Sequence, residues 1–218
     1  MPEDFWTRAQ EGERAFWQTA FAREVAGDPA KRRESWDACL AVIRRHRPFQ
    51  PGDRVLDLGC GPAGLITAVD PACERYGVDP LMDFYRESYA LPPEIRYSRQ
   101  MGEKLDFPDA FFHVATCINA LDHTRRPADV CRELARVLRP GGCLLLEVNV
   151  YRGYQYLRKR FRRWTRCLRR RPEKHPHTFR VADVEKMARR GGLRIVEQAI
   201  RPHQKRVVLR LLLAKPAD

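Results

Sequence analysis

The stretch VLDLGCGPAG (Val55–Gly64) constrains the fold more than any other part of the chain. Arg54–Leu58 reads as a strand. It feeds Gly59-Cys60-Gly61, and the apolar residues from Gly64 to Cys73 then read as a helix. Glycine tolerates positive φ and lets a ligand approach the backbone closely. A helix that begins behind such a turn offers free N–H groups. Strand, glycine turn and helix in that order open an α/β sheet, and such sheets bind ligands beyond the carboxyl ends of their strands.

The rest of the chain continues the alternation. Residues 3–26 read as a helix, because Phe5, Trp6, Ala9, Phe16, Trp17, Ala20 and Phe21 recur at three- and four-residue steps. Gly27-Asp28-Pro29 breaks it, and Pro29–His46 forms a second helix with Trp36, Leu40 and Ile43 on one face. Further strands fall at Tyr76–Val78, Ile95–Tyr97, His113–Cys117 and Cys143–Val150. Helices fall at Pro127–Leu138 and Val181–Arg190. Two late strands, Arg194–Ala199 and Arg206–Ala214, have no helix between them, so they pair as an antiparallel hairpin. The expected fold is a doubly wound α/β domain: a seven-stranded, mostly parallel sheet with helices on both faces. Residues 1–50 form an N-terminal helical cap, residues 51–218 the main domain, and residues 152–178 a basic helical insertion after strand five.

Charge is unevenly spread along the 218 residues. The net formal charge is +13, yet residues 51–151 carry −4 and residues 152–171 carry ten basic groups and no acid. A chain basic throughout would suggest general nucleic-acid affinity; here the basicity is local. No apolar run approaches the roughly 18–20 residues that span a bilayer. The N-terminal residues are acidic and lack the apolar core of a signal peptide. Seven scattered cysteines, none in a CxxC pair, read as reduced thiols. These features point to the cytoplasm, either free or peripheral on the inner membrane surface.

Gly59, Gly61 and Gly64 also fit the spacing of a dinucleotide site. Asp57 separates the two readings. A carboxylate two residues before the first glycine repels a pyrophosphate and suits a ligand with an ammonium group, which favours S-adenosylmethionine over NAD. At this point the sequence resembles the class I S-adenosylmethionine-dependent methyltransferases, in particular the small-molecule branch related to ubiquinone and menaquinone biosynthesis. The resemblance rests on Asp57-Leu58-Gly59-Cys60-Gly61, on Tyr76-Gly77-Val78-Asp79, on Gly102–Phe107 and on Leu138-Arg139-Pro140-Gly141-Gly142. It covers Pro51–Val150 well and implies a Rossmann-like fold. It departs from the family pattern at Ala63, where glycine is usual, and at Met101, where many relatives carry an Asp for the adenine amino group. The resemblance further implies that Asp57, Gly59, Cys60 and Gly61 form the cofactor turn. It implies that Asp79 accepts the ribose hydroxyls, that Leu81 and Met82 flank the adenine, that Gly102 and Glu103 meet its amino group, and that Asn119 lies at the methionine end.

Methyl transfer is an in-line displacement that mainly needs alignment. A general base is required only for a weakly acidic acceptor. His123, oriented by Asp122, is the candidate base; the alternative is that His123 is structural. Trp17, Tyr151 and His177 are candidate acceptor contacts. His175-Pro176-His177 lacks ligand spacing and a neighbouring Cys or carboxylate, so no metal is expected.

The leading expectation is methyl transfer to a small-molecule acceptor, either anionic, lipid-linked or sugar-containing. A nucleic-acid methyltransferase that uses the basic insertion is a second reading. It is weakened by Asn119-Ala120-Leu121-Asp122, where amino-group enzymes carry Asn/Asp-Pro-Pro-aromatic. A membrane-surface or protein-interaction module that keeps the fold is a third. In the insertion, Tyr154, Leu157, Phe161, Trp164 and Leu168 step by three and four, one face of a helix. That face is expected to pack on the domain or cap, leaving the Arg and Lys residues at 152–171 to meet an anionic carrier or a membrane.

Overall fold

The computed structural model describes residues 3–19, 22, 28–168, 176–203 and 206–217. Seven strands form one sheet: β1 (Arg54–Leu58), β2 (Glu74–Val78), β3 (Arg96–Ser98), β4 (Phe112–Ile118), β5 (Leu138–Val150), β6 (Arg194–His203) and β7 (Arg206–Ala214). Their order is β3-β2-β1-β4-β5-β7-β6. All pairings are parallel except those of β7, which runs antiparallel to both β5 and β6. The strand order reverses direction between β1 and β4, which opens a crevice at their carboxyl ends. Six α-helices are described: α1 (Glu3–Trp17), α2 (Pro29–His46), α3 (Met82–Ser88), α4 (Pro127–Val137), α5 (Gly153–Leu168) and α6 (Val181–Arg190).

Strand alternation divides the core. Leu56, Leu58, Leu144, Leu146, Leu209 and Leu211 face α4 and α6, where Val130, Leu134, Val184 and Ala188 complete one cluster. Val55, Val114, Leu145 and Leu212 face the other way, onto Leu40 and Ile43 of α2, Leu65 and Ile66, and Met82 and Tyr85 of α3. Each such buried leucine contributes about 1.5–3 kcal/mol. On the α2 side the strands also carry a polar row. Asp57 of β1 pairs in register with Thr116 of β4, and Glu147 of β5 pairs with Arg210 of β7. Arg210 holds Glu147 at 2.6 Å, buried under Cys39 of α2.

Four expectations need correction. The run after the glycine turn is a single 3₁₀ turn, Leu65–Ala68, not a helix to Cys73. Asp70 precedes Pro71 and is thereby steered to extended backbone, and Val69 is already extended at ψ 145°. The Leu138–Gly142 segment is the bulged start of β5 rather than a turn before it: Phe112 pairs with Leu138, then Val114 with Cys143. The first helix stops at Trp17, where the Thr19 hydroxyl bonds the Phe16 carbonyl; its expected continuation through residues 20–21 and 23–26 lies outside the described residues.

The fourth correction concerns the insertion. It does form a helix, α5, but the apolar stripe does not pack on the domain. Tyr154, Leu157 and Phe161 are 76%, 64% and 63% exposed. The fold instead grips the opposite side of α5, where Lys159 lies over the Tyr151 ring and Arg180 over the Tyr156 ring. The side chains of Trp164 and Leu168, and residues 169–171, lie outside the described residues.

Candidate active site

A cavity of about 740 Å³ opens at the switch in strand order. Its floor is the turn after β1. Gly59 and Gly61 have φ of 75° and 53°. A Cβ on Gly59 would overlap Ala120 of the β4 loop, and one on Gly61 would sit 3.3 Å from the Trp17 ring. The first glycine therefore interlocks two loops, and the second lets the Trp17 ring of α1 come down onto the turn.

Two buried carboxylates tie this floor together. The Thr116 hydroxyl donates to Asp57 Oδ1 at 2.7 Å and the Ile66 N–H donates to Oδ2 at 3.1 Å. Asp57 thus stands in for the helix its strand lacks, by holding the 3₁₀ turn. Asp79 accepts the Leu81 N–H at 2.8 Å and the Gly61 N–H at 3.1 Å. Burial pushes each carboxyl up to about 6, and the donors only partly offset it. Glu13 of α1 and Asp57 raise Asp79 further.

The cavity gathers most of the residues singled out in the sequence. Asp57, Gly59, Cys60, Gly61, Asp79, Leu81, Gly102, Glu103, Asn119, His123 and Trp17 all line it. Asn119 has φ of 53°, a conformation asparagine tolerates better than most residues. Its Oδ1 accepts from Asn149 at 3.5 Å. Glu103 Oε1 accepts the N–H groups of Arg125 and Arg126 at 2.6 and 2.9 Å, so that side chain ties down the β4 loop. Met82 is fully buried in the α2-side core and is not a wall residue.

Three expected contacts lie elsewhere. Asp122 is 3% exposed and outside the cavity lining, with Oδ1 3.9 Å from His123 Nε2. Tyr151 is buried at the end of β5, its hydroxyl bonded to Lys159. His177 stacks on Phe179 and bonds the Thr124 carbonyl at 2.8 Å; it steadies the β4 loop from behind. His175 lies outside the described residues. Among the described residues no group of three or more His, Cys, Asp or Glu could hold a metal ion.

Glu13, Gln10 and Trp36, which the sequence reading did not assign to the site, complete the roof with the aromatic residues of α1. Glu13 places Oε2 3.7 Å from His123 Nδ1 and accepts the Trp17 indole N–H at 3.1 Å. With Trp6, Gln10 and Phe16 it makes α1 one wall of the cavity. The signal for this was the helical spacing of Glu13 with Trp6, Phe16 and Trp17. Trp36 of α2 donates to the Ala63 carbonyl at 3.0 Å and closes the far side. Cys117, the one thiol at the end of β4, is fully buried on the opposite face of the sheet, and burial pushes its pKa well above the usual thiol value. It is no nucleophile for a base-modifying reaction.

Comparison with known proteins agrees with this geometry. A sequence profile described as a methyltransferase domain matches residues 30–198. An uncharacterised methyltransferase of Mycobacterium tuberculosis is 32% identical over 139 residues, 61% of this chain and 52% of the relative. YcgJ, an uncharacterised methyltransferase of Bacillus subtilis, is 32% identical over 99 residues, 43% of this chain and 39% of that protein. Its crystal structure superposes with a TM-score of 0.63 at 18% identity, covering 83% of this chain and 99% of that one. An S-adenosylmethionine-dependent methyltransferase of Methanosarcina mazei superposes with a TM-score of 0.66 at 16% identity, covering 81% and 98%. The chain spans about half the length, or less, of the curated relatives it matches.

Proposed function

The chain belongs to the methyltransferase-domain family, and we propose that it moves the methyl group of S-adenosylmethionine to a small-molecule acceptor held between the β4 loop and α1. One observation carries this reading. Asp57, Asp79, Glu13, Glu103 and Glu147 line the cavity, and no Lys or Arg among the described residues does. Such walls repel a pyrophosphate and favour a ligand that brings its own positive charge. The same cavity is bordered by the Gly59–Gly61 turn, whose backbone a ligand can approach because neither glycine carries a Cβ.

S-adenosylmethionine supplies a methyl group on a sulfonium, already activated for displacement. The chain has to bind, align and dehydrate. Asp79 takes the ribose hydroxyls, and Leu81 and the backbone of Gly102 and Glu103 border the adenine. Asn119 and the Gly59–Gly61 turn border the methionine end. Asp57 is 2% exposed beneath the turn and holds Thr116 and Ile66; it acts there through its charge. Trp6, Phe16 and Trp17 exclude water from the acceptor side. His123, between Glu13 and Asp122, removes the proton from a hydroxyl or ammonium acceptor. The acidic walls favour a neutral or cationic acceptor over an anionic one.

The test has two arms. Calorimetry should give S-adenosylmethionine binding that is weakened roughly 10- to 100-fold by Asp79→Asn, and no binding to the wild-type chain sinks the reading. A screen of neutral and amine acceptors with methyl-labelled cofactor then identifies the substrate. With that acceptor, His123→Ala should lower kcat by about 10²–10⁴ and leave cofactor affinity unchanged.

A further inference from the structure

Most amphipathic helices of a folded chain turn their apolar face inward; α5 turns it outward. No large apolar side chain among the described residues other than Tyr154, Leu157 and Phe161 is more than 37% exposed. Positions 154, 157 and 161 fall on one stripe of a helix with about 3.6 residues per turn. The same geometry puts Arg158 and Arg162 along one border of that stripe and Arg160 along the other, all exposed. Tyr156 and Lys159, on the reverse side, hold the helix to Arg180 and Tyr151. The stripe is therefore presented by a helix the fold grips from behind. Residues 152–171 carry ten basic groups and no acid. No helix among the described residues is long and apolar enough to cross a membrane.

We propose that α5 is a docking surface for an anionic lipid bilayer. The helix lies in the plane of the headgroups, with Tyr154, Leu157 and Phe161 in the acyl boundary and the flanking arginines on lipid phosphates. Charge and apolarity both single out this occupant. A nucleic acid would take up the arginines but leave Leu157 and Phe161 in water. A second copy meeting α5 stripe to stripe would set two acid-free basic arrays side by side. An anionic interface satisfies both the stripe and its borders at once. α5 follows β5, so the docked edge of the sheet is the one at which the cavity opens. The proposal does not depend on the methyl-transfer reading, because vesicle binding and cofactor binding are measured separately.

The experiment is co-sedimentation of the full chain with sucrose-loaded vesicles, either pure phosphatidylcholine or phosphatidylcholine with about a third phosphatidylglycerol, at physiological salt. Binding should favour the anionic vesicles at least tenfold and weaken as salt rises. Leu157→Asp with Phe161→Asp should reduce binding to the phosphatidylcholine level, with an unchanged melting temperature and unchanged calorimetric affinity for S-adenosylmethionine. Each of Arg158→Gln, Arg160→Gln and Arg162→Gln should weaken anionic binding about fivefold, the equivalent of about 1 kcal/mol per basic group. The proposal is overturned by equal binding to both vesicle types, by no binding, or by full binding of the double aspartate variant. It is also overturned by a dimer in sedimentation velocity that the double variant dissolves, which would assign the stripe to a second copy.

Discussion

The glycine turn and α5 are the two most patterned stretches of this chain, and they meet opposite fates. At the turn, every group that defines the pattern is enclosed. Gly59 abuts Ala120, and each carboxylate, Asp57 and Asp79, accepts two bonds from neighbouring protein groups. On α5 the pattern is equally regular, but its apolar face is left in solvent. A spacing that encodes backbone sterics carries its own partner, since the constraint and its satisfaction lie within a few residues. A spacing that encodes a surface states only that a partner of that chemistry is needed.

The contrast can be broken most severely at Gly59. Gly59→Ala forces a Cβ onto Ala120 at positive φ, and overpacking and backbone strain together cost about 2–6 kcal/mol. A lowered melting temperature and loss of calorimetric cofactor binding are expected, with Ala120→Gly restoring only part of the stability. Wild-type melting in the single variant would show that the two loops are not interlocked. A second test lies in the polar row. Arg210→Met leaves Glu147 buried without its cation, and denaturant titration should show a loss of about 3–5 kcal/mol. Adding Glu147→Leu should recover most of that loss.

The third test is pH. Asp57 and Asp79 titrate near 6 in the fold against an ordinary value of 3.8. Between those values the folded chain holds more protons than the unfolded one, so stability falls as pH rises through the window. Binding runs the other way, because a cationic ligand and ribose donors need ionised carboxylates. S-adenosylmethionine affinity should be full at pH 7.5 and weaken as pH falls through about 6. Asp79→Asn should lose roughly 10- to 100-fold in affinity at neutral pH and much of the pH dependence. The smallest expected effect completes the comparison: the aspartate substitutions at Leu157 and Phe161 should change stability by no more than about 0.5 kcal/mol.

What could be read in advance follows the same division. Strand–turn chemistry is local, so Asp57, Gly59, Gly61 and Asp79 were legible, and with them a mostly parallel seven-stranded sheet ending in an antiparallel hairpin. The apolar run after Gly64 has helical periodicity, but Val69 is already extended and Pro71 steers Asp70 the same way. Helix α3 was missed because seven residues, Met82–Ser88, are too few for a clear period. Tyr151 and His177 follow β5, whose chain leaves the ligand edge, but chain order fixes an edge and not a direction. Both point to packing partners instead. Glu13 was illegible as a neighbour of His123, because only the docking of α1 brings residues so distant in sequence within 3.7 Å.

The single turn at Leu65–Ala68 has one more consequence. A full helix in that position would aim a macrodipole at the cavity, roughly half a positive charge at its N-terminus. The turn ends at Ala68, before Pro71, and that source of field is absent. The Ile66 N–H that would have pointed at a ligand is spent on Asp57. The floor of the cavity therefore takes its electrostatic character from the Asp57 and Asp79 carboxylates, with no helix N-terminus aimed at it from this turn.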